Sequence, residues 1–441
     1  MTSLTNRRHM TCIYRILFLV TLVAGSEVVG HGDDWTHWRG TQRDGHSMES
    51  SHWQGDGKWL PSDPAWTIQA GEGGSSPIIA DGRLYLFGWV DGKNSIECFD
   101  AATGRQRWGQ QYDSPRYGRK SLGDLGLYSG PSSTPELDTD TGFLYTLGSD
   151  GDLHCWDAFD DGKQAWHINL YDQYDTPQRP RVGRSGHRDY GFTSAPLVYK
   201  DVVIVEAGGS GGTLVAFDKR TGKQRWVSDA KHIPGHTGGP ALIKIDGVDC
   251  AAVLTFSHLL VTRIDGPRVG ETVAEYEWTT TFANNIAGAC VAGDRVLITS
   301  AYNHNAICCL KISSGKATKV WEQRYASKVC TPLVHENRVY VAWQRLRCLD
   351  LESGRQLWEG ESFGDAGSLI ATADDRLIAW VGNGEVILAE TAKRSPKKLT
   401  VLAKSKRMFR DDVWPHIALA DGRLYCKNRD GTLHCFALSQ H

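Results

Sequence analysis

Residues 75–108 read SSPIIADGRLYLFGWVDGKNSIECFDAATGRQRW, and they contain one complete copy of a pattern that recurs along the chain. Small residues and a proline precede an apolar run, a turn signal joins it to a second run, and the copy ends with a Thr-Gly turn and a tryptophan. Asp81-Gly82 and Asp91-Gly92 separate alternating apolar runs, as the turns of β-hairpins do. The stretch therefore predicts four short antiparallel strands.

Seven further copies follow, so the repeat organises most of the chain. They cover residues 132–166, 193–226, 238–278, 287–321 and 330–358, a degenerate copy over roughly 367–399, and a last copy from Pro415 to Leu438. Eight copies between Trp66 and Leu438 give a period of about 47 residues, the size of a four-stranded propeller blade.

The last copy lacks a closing strand, whereas the segment PAWTIQ, which contains Trp66, is a closing strand without a blade. We expect this N-terminal strand to complete the last blade, because that pairing leaves no blade edge exposed. The sequence thus predicts an all-β fold, an eight-bladed β-propeller with four-stranded blades, over residues 66–441.

The composition of the 441 residues agrees with this fold and excludes some functions. There are 48 glycines, about 11%, against a usual level of roughly 7%, and the hairpin turns account for the excess. The 49 Lys and Arg are balanced by 51 Asp and Glu, for a net charge of −2. A nucleic-acid-binding protein normally carries a basic excess, so no nucleic-acid partner is expected.

Residues 1–30 have the pattern of a signal peptide. Arg7, Arg8 and Arg15 form a basic region, and residues 16–24 form a nearly continuous apolar run. This run is much shorter than the ~20 residues of a membrane-spanning helix, which indicates a cleaved signal. We expect export to the periplasm or secretion, no membrane span after cleavage, and an N-terminal segment 31–65 ahead of the propeller.

The closing motifs FDAATGRQRW, FDKRTGKQRW and LDLESGRQLW resemble the tryptophan-docking repeats of the PQQ-like eight-bladed β-propellers, over roughly residues 66–438. The segment WTHWRGTQRDGHS, residues 35–47, resembles the beginning of exported bacterial members. The resemblance implies the fold, but it does not select a chemistry, because the same blades occur in quinoprotein dehydrogenases and in a non-catalytic outer-membrane assembly protein. The resemblance makes pyrroloquinoline quinone (PQQ) and Ca²⁺ candidate cofactors, but it assigns neither of them to this chain.

Aligned copies indicate which unusual residues are architectural. Five cysteines occupy one position of the third strand in five blades, and we interpret them as small buried residues: Cys98, Cys155, Cys309, Cys348 and Cys435. The tryptophans of the closing strand are interpreted as packing residues between blades: Trp66, Trp108, Trp166, Trp226, Trp278, Trp321 and Trp358.

The connections between blades surround the mouth of the central channel, and loops on a rigid scaffold commonly carry function. The two longest follow Trp108 and Trp166, and they are rich in Arg, His, Asp and Tyr. Their charges predict a site for a small polar or anionic ligand. The candidate ligand-binding residues are Arg116, Lys120, Asp124, Arg184, His187, Arg188, Asp189, His236, Asn285, Arg410, Asp411, Trp414 and His416.

A catalytic constellation is not recognisable. A quinoprotein dehydrogenase needs oxygen ligands for Ca²⁺, a carboxylate base and an aromatic floor. Asp124, Asp189, Asp365 and Asn285, with Trp414 as a stacking surface, are candidates that belong to no dehydrogenase-like motif. The adjacent Cys308 and Cys309 resemble the vicinal disulfide of quinoprotein alcohol dehydrogenases, but they lie within a strand away from the mouth. His232 and His236 are separated by Pro-Gly, so no metal site is predicted.

The leading hypothesis is an exported, non-catalytic propeller that binds a small ligand or scaffolds an interaction with an envelope protein. The first alternative is a periplasmic PQQ-dependent dehydrogenase of alcohols or sugars. The second alternative is a factor in envelope or outer-membrane protein assembly.

Overall fold

The computed structural model describes Met1 and residues 34–55, 59–120, 128–181, 189–281, 284–382 and 384–438. Residues His31–His441 form one compact unit. Apart from Met1, the predicted signal peptide lies outside the described residues.

The described chain contains 31 strands in eight antiparallel sheets. The strand β1 is Trp66–Gln69. Blades 1 to 4 contain β2–β17, which are Ile78–Ala80, Arg83–Val90, Lys93–Asp100, Gln106–Asp113, Glu136–Asp138, Phe143–Leu147, Asp152–Asp157, Lys163–Asn169, Leu197–Tyr199, Val202–Glu206, Leu214–Asp218, Gln224–Val227, Ala241–Ile245, Val248–Leu254, His258–Arg263 and Thr272–Glu277. Blades 5 to 8 contain β18–β31, which are Cys290–Ala292, Arg295–Ser300, Ala306–Ser313, Lys316–Gln323, Leu333–His335, Arg338–Asp350, Gln356–Gly364, Ala366–Ala371, Arg376–Val381, Glu385–Glu390, Val401–Lys404, Ala418–Ala420, Arg423–Lys427 and Thr432–Ala437.

The eight sheets confirm the predicted eight-bladed β-propeller. In blade 6 one long strand, β23 (Arg338–Asp350), occupies the positions of the second and third strands, with a left-handed residue at Gln344. A short helix, α1 (Leu170–Tyr174), and a 3₁₀ turn at Gly209–Gly211 are the helical elements of the described residues.

The N-terminal strand closes the ring as predicted. β1 pairs antiparallel with β31, the last strand of the chain, so that blade 8 has the strand order β1-β31-β30-β29. Trp66 lies opposite Cys435 in this pairing. The two ends of the propeller therefore share one sheet, in which β1 covers the edge of β31 and takes the outer position that the closing strand has in other blades.

Closing-strand tryptophans join neighbouring blades. Each of four indoles donates its N–H to a backbone carbonyl of the next blade, and the pairs are Trp66 to Ala102, Trp108 to Ala158, Trp166 to Lys219 and Trp321 to Leu351. The ring also covers the glycine of the next Thr-Gly turn, since a β-carbon at Gly104 would lie 2.8 Å from the Trp66 indole. Glycine at this turn thus permits the ring to dock.

Packing against tryptophan explains why cysteine recurs at one position of the third strand. Cys98, Cys155, Cys309, Cys348 and Cys435 each lie directly opposite a closing tryptophan on the adjacent strand. A small side chain leaves room beside the indole, and Ala216 does the same opposite Trp226. The ten cysteines of the described residues are all buried and none forms a disulfide.

One tryptophan of this group, Trp278, packs between blades as predicted but from a position outside the closing strand. In blade 4 the position opposite the third strand is Ala274, which pairs with Val261. Trp278 lies one residue beyond β17, where its indole N–H donates to the Ser300 hydroxyl at 3.2 Å. The repeat spacing placed a tryptophan near the end of the copy, and strand register shows that it belongs to the connection.

The segment 34–49 closes one end of the channel. Backbone and side-chain hydrogen bonds connect it to four blades, and they join Trp35 to Ile79, Arg43 to Glu136, Arg39 to Pro332 and Ser47 to Ala371. It also reaches the turns that follow the innermost strands, because Glu49 accepts a hydrogen bond from Gly422 N–H. Those turns lie at the opposite end of the innermost strands from the connections between blades, so the channel is a pocket with a floor.

Candidate functional site

A cavity of about 260 Å³ occupies the open end of the channel. Trp38 forms part of its floor, since its indole lies against Gly238 and Gly288, where a β-carbon would approach to 2.3 and 2.9 Å. The lining residues are Trp38, Gly74, Ser76, Tyr128, Gly130, Ser132, Thr134, Tyr190, Thr193, His236, Thr237, Gly238, Ile286, Tyr302, Lys328, Val329, Thr331, Gly367, Trp414 and His416.

One wall of the cavity is aromatic and carries a cation. The rings of Tyr128 and Trp414 lie 4.5 Å apart. The Arg429 guanidinium lies 4.8 Å from the Tyr128 ring and 5.1 Å from the Trp414 ring, in cation–π geometry. Arg429 is 8% exposed, and its charge acts to lower the pKa values of the nearby Glu72 and Asp412 carboxyls. Two ring faces and two neighbouring carboxyls therefore surround this cation beside the cavity.

Two buried histidines line the cavity, and their hydrogen bonds define which ring nitrogen carries the proton. Burial lowers the pKa of His236 to about 3, and the nearby Arg179 acts in the same direction. Nε2 of His236 accepts the Tyr190 N–H at 3.2 Å, so Nδ1 carries the proton and donates to Asn284 Oδ1. This imidazole is neutral and fixed in orientation.

His416 leaves one nitrogen for a ligand. Burial lowers its pKa to about 3, and Nδ1 donates to the Ile417 carbonyl at 2.8 Å. Nε2 is therefore an acceptor, and the described residues provide no donor to it. Because the side chain is 6% exposed and lines the cavity, a ligand hydroxyl or amine would satisfy this atom.

A band of hydroxyl groups follows the first strands around the cavity: Ser76, Ser132, Thr134, Thr193, Thr237 and Thr331. Four of them are used by the framework. Ser76, Thr134 and Thr331 accept backbone N–H groups of neighbouring blades, and Thr193 donates to the Thr237 carbonyl. The Thr237 hydroxyl is buried without a hydrogen-bond partner among the described residues. Small polar residues before each proline thus give the cavity its polar surface.

Carboxylates are absent from the lining within the described part of the chain. At the rim, Asp365 accepts Lys328 Nζ at 2.9 Å and the Trp343 indole N–H at 2.7 Å. Ca²⁺ requires several oxygen ligands, commonly with carboxylates among them. The described lining therefore does not fit a calcium ion beside a quinone, although its aromatic rings fit a flat molecule.

The structure brings three of the thirteen predicted ligand residues to the cavity: His236, Trp414 and His416. Four others lie outside the described residues: Asp124, Arg184, His187 and Arg188. The remaining six do not line the cavity: Arg116, Lys120, Asp189, Asn285, Arg410 and Asp411.

Two of these six are framework residues. Asp189 is fully buried and accepts Arg179 Nη1 at 2.9 Å. Burial acts to raise the pKa of Asp189, but the Arg179 guanidinium and backbone N–H groups hold it below the usual value. The amide of Asn285 donates to three backbone carbonyls and its Oδ1 accepts the Ser300 hydroxyl. Both side chains organise connections near the cavity without facing it.

The other four lie nearer the surface. Arg116 pairs with Glu72 at 2.8 Å, and Lys120 donates to the Thr176 carbonyl. Arg410 is exposed and Asp411 is half-buried.

Three residues of the site are not among the predicted candidates: Trp38, Tyr128 and Arg429. Trp38 lies in the segment WTHWRG, ahead of the propeller, and nothing local indicates that it enters the channel. Arg429 lies in the turn after the second strand of blade 8, whereas the predicted candidates lie in the connections between blades. Tyr128 belongs to a long connection whose charged residues drew the prediction.

The adjacent cysteines also have a structural explanation. Cys308 and Cys309 are consecutive residues of β20, and they lie in different hydrophobic clusters on opposite faces of the sheet. Successive side chains of a strand point in opposite directions. The pair therefore does not resemble a stacking disulfide over a quinone.

The comparisons with known proteins agree with this architecture. A family model described as outer membrane protein assembly factor BamB matches residues 92–359 and 257–405. This chain belongs to the PQQ-like β-propeller family. In the same family, it is 23% identical over 324 residues to the outer membrane protein assembly factor BamB of Burkholderia pseudomallei (strain K96243), covering 68% of this chain and 70% of that protein.

A second relative carries a different function. Over 177 residues the chain is 28% identical to the dehydrogenase subunit of the alcohol dehydrogenase (quinone) of Acetobacter aceti, covering 38% of this chain and 22% of that protein. The chain thus spans less than a quarter of that relative.

Solved structures share the fold at low identity. A europium-containing methanol dehydrogenase has a TM-score of 0.63 and 13% identity, covering 89% of each chain. BamB from Moraxella catarrhalis has a TM-score of 0.55 and 12% identity, covering 85% of this chain and 99% of that chain. Among the described residues, no helix has the length and apolarity to cross a membrane.

Proposed function

We propose that the protein is an exported, non-catalytic binding module whose channel cavity holds a small polar molecule with a flat face and an anionic group. One observation carries the proposal: the channel is closed by Trp38, and the cavity above it combines aromatic faces with unsatisfied polar atoms. Aromatic surfaces favour a flat ligand, and His416 Nε2 offers a hydrogen-bond acceptor that the described residues leave unpaired. Arg429, beside Tyr128 and Trp414, favours a negative charge at the mouth.

The surface supports a small ligand over a hydrophobic protein interface. The exposed large apolar side chains of the described propeller belong to different blades: Val90, Phe159, Val227, Leu242, Val320 and Val401. Single exposed apolar residues are ordinary, whereas interaction surfaces are contiguous patches. Participation in envelope protein assembly, which the name of the BamB relatives suggests, is a second proposal that rests on family membership.

PQQ is one candidate ligand. Trp38 and Trp414 would face its flat rings, and the charge of Arg429, which lies over the Trp414 ring, would favour its carboxylates. When bound in an enzyme, PQQ supplies a two-electron oxidation. Because the described lining lacks calcium ligands, we derive no dehydrogenase step from this chain.

The test is a binding screen with the mature protein, read by thermal shift and tryptophan fluorescence. The probes are PQQ with and without Ca²⁺, aromatic carboxylates, and a panel of mono- and disaccharides. We expect at least one probe to raise the melting temperature, and Trp414→Ala to weaken its binding at least tenfold. Trp226→Phe is the matched control, because Trp226 lies on an outer strand away from the cavity.

Two outcomes would contradict this function. Either no probe shifts the melting temperature, or Trp226→Phe weakens binding as much as Trp414→Ala does. Dye reduction in the presence of PQQ, Ca²⁺ and an alcohol or sugar would instead support the dehydrogenase alternative. Specific capture of a purified outer-membrane assembly protein would support the assembly alternative.

A further inference from the structure

Blade 2 contains a cluster of side chains of metal-ligating types that do not line the channel cavity. Asp152 and His154 lie on β8 and His167 on β9, and one ligand atom from each lies within 4.8 Å of the others. Oδ1 of Asp152 is 3.1 Å from Nε2 of His167, and it also accepts Asn169 Nδ2 at 2.9 Å. His154 and His167 are direct cross-strand neighbours.

The burial of His154 independently points to a ligand at this cluster. It is 3% exposed, and both of its ring nitrogens are buried without a hydrogen-bond partner among the described residues. Tyr112 stacks on the ring at 4.1 Å and Trp156 at 4.7 Å, so the aromatic neighbours cover its faces and leave its nitrogens unsatisfied. A buried polar atom without a partner destabilises the folded state, and a metal ion would remove that cost for one nitrogen.

Another blade shows how the same position is satisfied without a metal. His434 in blade 8 occupies the place of His154, in the sequence LHCF against LHCW. Its cross-strand neighbour is Thr67, whose hydroxyl lies 2.8 Å from His434 Nδ1. Blade 2 has His167 where blade 8 has this threonine, so its central histidine loses the hydroxyl partner and gains a second imidazole.

We propose that Asp152, His154 and His167 form a binding site for a divalent transition-metal ion, with Zn²⁺ as the best match. Two imidazoles and one carboxylate are a common Zn²⁺ ligand set, and a water molecule completes the tetrahedron. His167 is 37% exposed, which gives the ion a path from solvent. A second cluster, His335, Glu336 and Asp375, is less suitable because Lys393 Nζ already lies 3.0 Å from Asp375 and 3.2 Å from Glu336.

The test uses the mature protein after treatment with a chelator and dialysis. Zn²⁺ binding is measured by calorimetry and by elemental analysis, and Co²⁺ substitution is followed by its visible absorption. We expect one ion per chain and tetrahedral Co²⁺ bands. His167→Thr, which copies blade 8, and Asp152→Asn should each weaken Zn²⁺ binding by more than about 100-fold, since changes to residues that only orient ligands already cost about 10- to 100-fold.

The matched control is His258→Gln in blade 4. His258 stacks on His232 at 4.3 Å, and His232 pairs with Glu275 at 3.0 Å, so the same residue types are present without convergence. This variant should bind Zn²⁺ as the wild type does. Sub-stoichiometric binding, wild-type affinity in His167→Thr, or the absence of tetrahedral Co²⁺ bands in the wild type would overturn the proposal. The last measurement needs no variant, so a folding defect cannot obscure it.

Discussion

Two fully buried glutamates in neighbouring blades should give opposite dependences of stability on pH. Glu206 accepts the Ser194 hydroxyl at 2.6 Å through Oε1, and its Oε2 has no partner among the described residues. Burial raises the pKa of Glu206 to about 7. Glu136 is equally buried, but Arg43 and His37 pair with it. Although burial opposes them, these partners lower the pKa of Glu136 to about 2.

The magnitude follows from these pKa values. A carboxyl whose pKa is raised in the folded state contributes full stability below its unfolded pKa, near 4.5, and loses it as the pH rises to about 7. Each pH unit in this window is worth about 1.4 kcal/mol. Glu206 should therefore remove about 3 kcal/mol of the free energy of unfolding between pH 4.5 and pH 8. Glu206→Gln cannot ionise, so its stability relative to the wild type should increase by that amount over the same window.

The assay is urea unfolding at half-unit steps from pH 4.5 to pH 8, followed by tryptophan fluorescence. Glu136→Gln is the matched control. Its folded pKa is lowered, so the stability from this carboxylate is present above pH 4.5 and is lost only as the pH falls toward 2. This variant should be less stable than the wild type at every pH from 5 to 8. Parallel pH profiles for Glu206→Gln and the wild type would refute the reasoning.

Three further predictions concern packing and buried titratable groups. Trp166→Ala should lower the free energy of unfolding by about 3–5 kcal/mol, and Trp226→Ala should lower it by less. The reason is that Trp166 is 9% exposed and donates a hydrogen bond to the next blade, whereas Trp226 is half-buried. Urea unfolding measures both losses, and equal losses would contradict the docking role of Trp166. Cys308 and Cys309 should not react with a thiol reagent in the native protein, because burial raises their pKa values to about 12 and about 11. Reaction of either thiol before unfolding would be inconsistent with their placement. Burial lowers the pKa of Lys427 to about 7. The free energy of unfolding of the wild type should therefore rise by about 3 kcal/mol from pH 6 to pH 9 relative to that of Lys427→Met. A difference between the two proteins that stays constant with pH would disprove the shift.

Much of the fold could be predicted because its signals are local and repeated. Asp81-Gly82 and Asp91-Gly92 adopt left-handed conformations at both residues of each turn, as the hairpin pattern required. The partnership of β1 with the last blade followed from counting strands. Trp278 was misplaced for a related reason: the spacing of a repeat gives the approximate position of a residue, whereas strand register determines its partner.

The candidate site was less predictable, because its residues come from segments far apart in the chain. Asp189 and His236 are both polar residues of connections between blades, yet Asp189 pairs with Arg179 inside the framework while His236 faces the cavity. The choice between these roles depends on the direction of each side chain within its connection, and no local pattern encodes it.

Eight blades, their hairpin turns, a recurrent buried cysteine position and the closure of the ring could be predicted from the sequence, because each follows from residues near in the chain or repeated along it. The closure of the channel by segment 34–49, with Trp38 in its floor, is evident only in the folded protein. The same is true of the placement of Arg429 over Tyr128 and Trp414, and of the lack of a hydrogen-bond partner for His154 among the described residues. These features depend on which distant side chains share a buried space, and that is set when the blades close into a ring.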